Sequence, residues 1–146
     1  MRVKIKIKRI DKSLPLPVYE TSGSVGFDIL CREKITIQPS SLGFLPSNVI
    51  VQTPAGYLLM VALRSSSPKK YGLLMPHGIG IIDNDYCGEK DEIKVQVYNF
   101  THKPVTIKRG EKVAQGVFVK IEKAEWDEVE TISVNSRGGF GSTDSR

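Results

Sequence analysis

Apolar residues in this chain recur every second position. Val3, Ile5 and Ile7 alternate with Lys4, Lys6 and Lys8, and Ile93, Val95 and Val97 alternate with Lys94, Gln96 and Tyr98. Val117, Val119 and Ile121 repeat the pattern against Phe118 and Lys120. This period puts successive side chains on opposite faces of a strand, so it predicts half-buried β-structure. Two denser runs, Tyr57–Leu63 and residues 78–82, read as strands buried on both faces. Turn signals separate the runs: Pro15 and Pro17, Pro39, Pro46, Thr53-Pro54-Ala55-Gly56, His102-Lys103-Pro104 and Lys108-Arg109-Gly110. Many short strands at this spacing predict an all-β barrel or sandwich. One short helix is expected after Leu63, with Ser67 as its cap and Pro68 at its first position. The acidic stretch 122–129 reads as a second short helix or as a loop.

Lys4, Lys6 and Lys8 fall on the solvent face of the first strand, where lysines also discourage edge-to-edge pairing. A basic nucleic-acid arm fits less well, because the intervening residues are aliphatic. The 146 residues suffice for one domain with a hydrophobic core, and 40% apolar with 25% charged residues is ordinary globular composition. No stretch approaches the roughly 18 apolar residues of a membrane span. The alternating N-terminus does not read as a secretory signal. Cys31 and Cys87 have neither metal spacing nor a disulfide framework, which points to a reducing, intracellular location. A net charge of +5 favours a polyanionic partner without choosing between nucleic acid, nucleotide and anionic membrane.

The final segment, 136–146, reads SRGGFGSTDSR and has almost nothing apolar to bury. The chain therefore divides into a domain over 1–135 and a mobile glycine-rich tail over 136–146. Phe140 has no local apolar partner and could close over a flat ring. Glycine backbone could cradle phosphate oxygens, and Arg137 could fork onto one. A frayed terminus is the other reading.

Four further segments carry polar chemistry. In GIGIIDNDYCG, over 78–88, an apolar strand ends in Asp83, Asp85 and Tyr86. This is either a hairpin turn or a general base held at a strand end. In LRSSSPKKYG, over 63–72, Arg64 precedes three hydroxyls at a helix start, which suits either a cap or a phosphate site. Asp28, within VGFDILC, needs a partner if buried: an arginine such as Arg64 or Arg137, or metal-bound waters. Gln115, within RGEKVAQGVF, points inward from an apolar strand and must hydrogen-bond to backbone or ligand.

Taken together and in order, VGFDI, RSSS, GIIDNDYCG, RGEKVAQGVF and RGGFGST resemble the five motifs of the trimeric all-β dUTPase family, the deoxyuridine triphosphate nucleotidohydrolases. The resemblance spans 26–143. It implies a jelly-roll-like distorted barrel, a closed homotrimer, and active sites shared among chains with the C-terminal arm as lid. The implied reaction is hydrolysis of dUTP to dUMP and pyrophosphate by in-line water attack at the α-phosphorus. This would limit uracil incorporation into DNA and supply dUMP for dTMP synthesis. By the same resemblance Asp83 is the catalytic base, and Tyr86 packs under the deoxyribose and excludes a 2′-hydroxyl. His77, Gly80, Ile81 and Ile82 lie on the hairpin that reads uracil through its backbone, and Lys94 after the hairpin is a further substrate-binding residue. Ser65 meets the oxygen bridging the α- and β-phosphates, and Arg64, Ser66 and Gln115 make other phosphate contacts. Arg137, Ser142 and Thr143 fall on the γ-phosphate clamp, Phe140 on the ring stacked over uracil, and Gly141 beside them among the substrate-binding residues. Mg2+ is expected on the triphosphate oxygens, with Asp28 reaching it only through water. The expected partners are dUTP and two further copies of the chain, with no nucleic acid and no membrane. The expected location is cytoplasmic, or inside a host cell for a viral protein.

The chain departs from the usual motifs at His77, in a longer stretch over 89–92, and at Asp144, where glycine is usual. Two other readings stay open: a dCTP deaminase of the same fold, which needs a glutamate base that has no evident place here, and a non-catalytic nucleotide-binding β-trimer.

Overall fold

The computed structural model describes residues 2–141, in which eleven short strands surround a single helical turn. The strands are β1 (Lys6–Arg9), β2 (Phe27–Leu30), β3 (Ile35–Ile37), β4 (Leu42–Pro46), β5 (Val49–Gln52), β6 (Tyr57–Leu63), β7 (Leu73–Leu74), β8 (Gly80–Ile82), β9 (Lys94–Asn99), β10 (Val105–Ile107) and β11 (Lys112–Lys120). The helix α1 spans Ser67–Tyr71. Antiparallel pairing builds four sheets, ordered β2-β11-β6-β8, β4-β9-β7, β1-β5 and β3-β10. One core fills the space between them, drawn from alternate strand residues such as Phe27 and Ile29, Leu59 and Val61, and Val95 and Val97. The period-two pattern therefore becomes a mostly β architecture of several antiparallel sheets.

Three local expectations need correction. The two dense runs are not buried on both faces. In β6 Leu59 and Val61 are buried while their neighbours are only half-covered, and β8 has no buried residue. β8 is an edge strand, so its outer side has no neighbour among the described residues. Ser66, not Ser67, occupies the cap of α1. Ser67 instead turns inward, where its hydroxyl donates to the Val113 carbonyl at 3.1 Å. The alternation starting at Val3 enters the ladder only at Lys6, and Val3 and Ile7 stay exposed along an open apolar groove of about 920 Å³. Of the two readings of 122–129, the structure shows the loop: the stretch forms no helix and is exposed.

The centre of the largest sheet is tight. Gly116 of β11 faces Phe27 on one side and Val61 on the other. A Cβ there would sit 2.4 Å from the Phe27 ring, itself packed against Tyr19 and Phe118. Gly116→Ala is expected to destabilise the fold by about 1–3 kcal/mol, the usual cost of overpacking, as read by urea denaturation.

After β11 the Ile121 N–H donates to the Gly56 carbonyl at 2.9 Å, and the chain then leaves the body. Residues 122–141 are exposed, including Trp126, Ile132, Val134 and Phe140. Among the described residues no helix is long and apolar enough to cross a membrane. Both cysteines are free, and burial pushes the Cys31 thiol up to about 11.

Candidate active site

Asp83 stands immediately after β8, at the start of a tight turn. The Tyr86 N–H donates to the Asp83 carbonyl at 3.2 Å. Between them Asn84 turns inward, and its amide nitrogen reaches the carbonyls of Thr53, Pro54 and Tyr57 at 3.1, 3.2 and 2.8 Å. That anchor fixes the turn to the loop before β6 and leaves Asp83 and Tyr86 exposed. Asn84 is thus a residue that the sequence reading passed over, although Asp-Asn-Asp carries the signal for an Asx-type turn anchor. The Asp83 carboxylate makes no ion pair or hydrogen bond among the described residues.

A second cluster forms where β2 and β6 flank β11. Gln115 lies in register between Asp28 and Ala62. One Asp28 oxygen meets Arg64 Nε at 3.3 Å and the other meets Lys112 Nζ at 3.1 Å. The salt-bridge reading of Asp28 is therefore realised with Arg64. Lys112 also pairs with Glu20, and these two carboxylates raise its pKa, keeping the ammonium charged. Lys112 was missed because a bulge between Lys112 and Ala114 shifts the register and brings it round to Asp28.

The segment carrying Arg64, Ser65 and Ser66 is tied to the same strand. The Arg64 N–H and the Ser67 hydroxyl both donate to the Val113 carbonyl, at 3.4 and 3.1 Å. The Gln115 amide donates to Leu63 O at 3.4 Å. Tyr71, closing α1, donates its hydroxyl to Glu111. Ser65 and Ser66 are exposed on this rigid corner. Two cations, two hydroxyls and an amide converge here, a set suited to phosphate oxygens.

The two clusters are apart. Ile82 pairs with Leu59, so Asp83 lies level with Leu58, six residues along β6 from Arg64. At roughly 3.3 Å per residue, about 20 Å of strand separates them. The hairpin residues Gly80, Ile81 and Ile82 stay with Asp83, and His77 lies exposed at the turn leading into them. Lys94 is exposed at the start of β9, opposite Pro46. Arg137, Phe140 and Gly141 lie on the exposed arm. Ser142, Thr143 and Asp144 fall outside the described residues.

The sequence profile of the dUTPase family matches residues 12–145. The chain belongs to the dUTPase family. It is 39% identical over 143 residues to the deoxyuridine 5'-triphosphate nucleotidohydrolase of Helicobacter pylori (strain P12), with 97% of each chain covered. The fold resembles the crystal structure of the Streptococcus mutans dUTPase with a TM-score of 0.75 at 29% identity, covering 82% of this chain and 98% of that one. It also resembles the Staphylococcus bacteriophage 80alpha dUTPase with dUPNHPP, with a TM-score of 0.84 at 23% identity, covering 95% and 97%. The Asp83 turn and the Arg64 corner stand far apart along β6 of a single chain.

Proposed function

We propose that this dUTPase hydrolyses dUTP to dUMP and pyrophosphate in sites assembled between copies of the chain. The observation that carries the reading is the pinned turn that presents Asp83 unpaired and exposed beside Tyr86. In this reading Asp83 takes a proton from the water that attacks the α-phosphorus, and the phosphorus–oxygen bond to pyrophosphate breaks in line. Fixed geometry and charge neutralisation supply much of the acceleration. The outer edge of β8, over Gly80, Ile81 and Ile82 after His77, offers free backbone donors and acceptors for the uracil edge. Tyr86 lies under the deoxyribose.

Arg64, Ser65, Ser66, Gln115 and Lys112 take the phosphate side. Their distance along β6 from Asp83 favours a site in which one copy presents the hairpin and another the phosphate corner. An arm with Trp126, Ile132 and Val134 exposed fits the same arrangement, since nothing among the described residues covers those side chains. A closed three-fold jelly-roll assembly, with residues 136–146 as the lid and Arg137 and Phe140 over the bound nucleotide, completes the proposal. Lys94 stands on the rim.

Magnesium fits the phosphate corner. One Asp28 oxygen is buried without a directed hydrogen bond, although Lys112 is near, and so can accept from a water on the ion. No group of three metal-binding side chains occurs among the described residues, so the ion would rest on substrate phosphates and waters. When bound it would neutralise charge on the triphosphate.

The test is pyrophosphate and ammonia release from dUTP, UTP, dTTP and dCTP. Pyrophosphate from dUTP alone is expected. Ammonia from dCTP would replace this reading with the deaminase, and no product from any nucleotide would replace it with a binding protein.

A further inference from the structure

Tyr86 is 40% exposed, so packing alone does not hold it. Two hydrogen bonds fix its ends. The backbone N–H bond to Asp83 sets where the side chain leaves the main chain. The hydroxyl donates to the carbonyl oxygen of Glu92 at 3.2 Å and sets where the ring finishes. A tyrosine hinged only at its backbone samples several staggered rotamers, whereas one tied at both ends keeps one.

The acceptor is anchored from three directions. Glu92 is 8% exposed. Its carboxylate takes Arg32 at two points, with Nε at 2.8 Å and Nη2 at 3.1 Å, and accepts the Asn48 N–H at 2.9 Å. Asn48 sits in the turn between β4 and β5 at a φ of 71°, and its side chain binds the Asp11 backbone in both directions. The neighbouring Ile93 N–H donates to Val49 O, and its carbonyl accepts from Ser47. Between the two ends of the tether the chain is a surface loop, closed on itself by Gly88 N–H to Asp91 Oδ2 at 2.7 Å and Asp91 N–H to Gly88 O at 3.0 Å.

We propose that Arg32 and Glu92 are positioning residues for sugar discrimination, holding Tyr86 through its hydroxyl so that its ring cannot tilt to admit a 2′-hydroxyl. This rests on the reading of Tyr86 as the surface beneath the deoxyribose. A bidentate arginine–carboxylate pair is suited to the task because it fixes direction as well as distance. The longer stretch over 89–92 thereby has a role: its last residue carries the anchor, and the rest bridges the span of the tether.

The experiment measures kcat/KM for dUTP and for UTP in the wild type, Tyr86→Phe, Glu92→Gln and Arg32→Lys, with melting curves for each. The dUTP-to-UTP ratio is expected to fall roughly fivefold in Tyr86→Phe, the scale of one lost neutral hydrogen bond. It should move in the same direction in Glu92→Gln and Arg32→Lys. A merely structural loosening lowers both substrates together and leaves the ratio alone. An unchanged ratio in Tyr86→Phe overturns the proposal, and this variant decides alone if the buried pair cannot be altered without unfolding. A ratio lost in Tyr86→Phe but kept in folded Glu92→Gln removes Arg32 and Glu92 from the device. If the wild type turns over UTP as well as dUTP, the reading of the sugar pocket has failed instead.

Discussion

Asp83→Asn is expected to lower kcat for dUTP by roughly 10²–10⁴-fold, the range a positioned general base supplies. The carboxamide keeps the shape of the side chain but cannot accept the proton of the attacking water. The substitution is clean because Asp83 has no partner to orphan among the described residues. It is exposed, and the turn holding it depends on Asn84 and on backbone, not on the carboxylate. Melting temperature and the affinity for a non-hydrolysable dUTP analogue should therefore stay close to wild type. Single-turnover pyrophosphate release measures the chemical step, and isothermal titration measures the binding. Turnover at the wild-type level would mean that another group takes the proton. Collapse of binding along with turnover would mean that Asp83 holds substrate and does not act as the base.

Much of this arrangement was legible in the sequence, for reasons that can be traced. Tyr57–Leu63 is a strand with the bounds expected, because Pro54 and Gly56 end the preceding loop and Arg64 begins the next corner. Asp83 could be placed at a strand end because an apolar run stops there in a turn-forming triplet. Burial on both faces could not be read correctly from β6 and β8. An apolar run is equally consistent with a face fully covered by its own chain and a face only partly covered, and these strands are of the second kind. Ser66 and Ser67 were exchanged because a run of three hydroxyls offers three equivalent caps, and only packing against Val113 selects which one turns inward. Lys112 required knowledge of a bulge, and the Arg32–Glu92 pair spans sixty positions of sequence, so neither leaves a local signature.

Removing residues 137–146 is expected to lower kcat/KM for dUTP by roughly 10²-fold or more, the scale of losing one preorganised donor to developing charge, while the fold survives. Stability and activity rest on different parts of the chain. For stability, 137–141 is exposed throughout, contributes nothing to the core, and makes only a local bond from Gly138 N–H to the Ser136 hydroxyl. The body ends its pairing at Lys120, so little of the melting transition depends on the arm. For activity, Arg137 is the cation that would close on the outer phosphate, and Phe140, fully exposed in its own protomer, is the ring that would cover the base. Without them water reaches the triphosphate and fewer charges face it. Thermal melting and steady-state kinetics on the truncated chain read the two effects separately. Lost folding would show that the arm carries structural weight through a neighbouring copy. Full activity would show that the body alone closes the site, and the lid would then have to be abandoned while the Asp83 assignment stood.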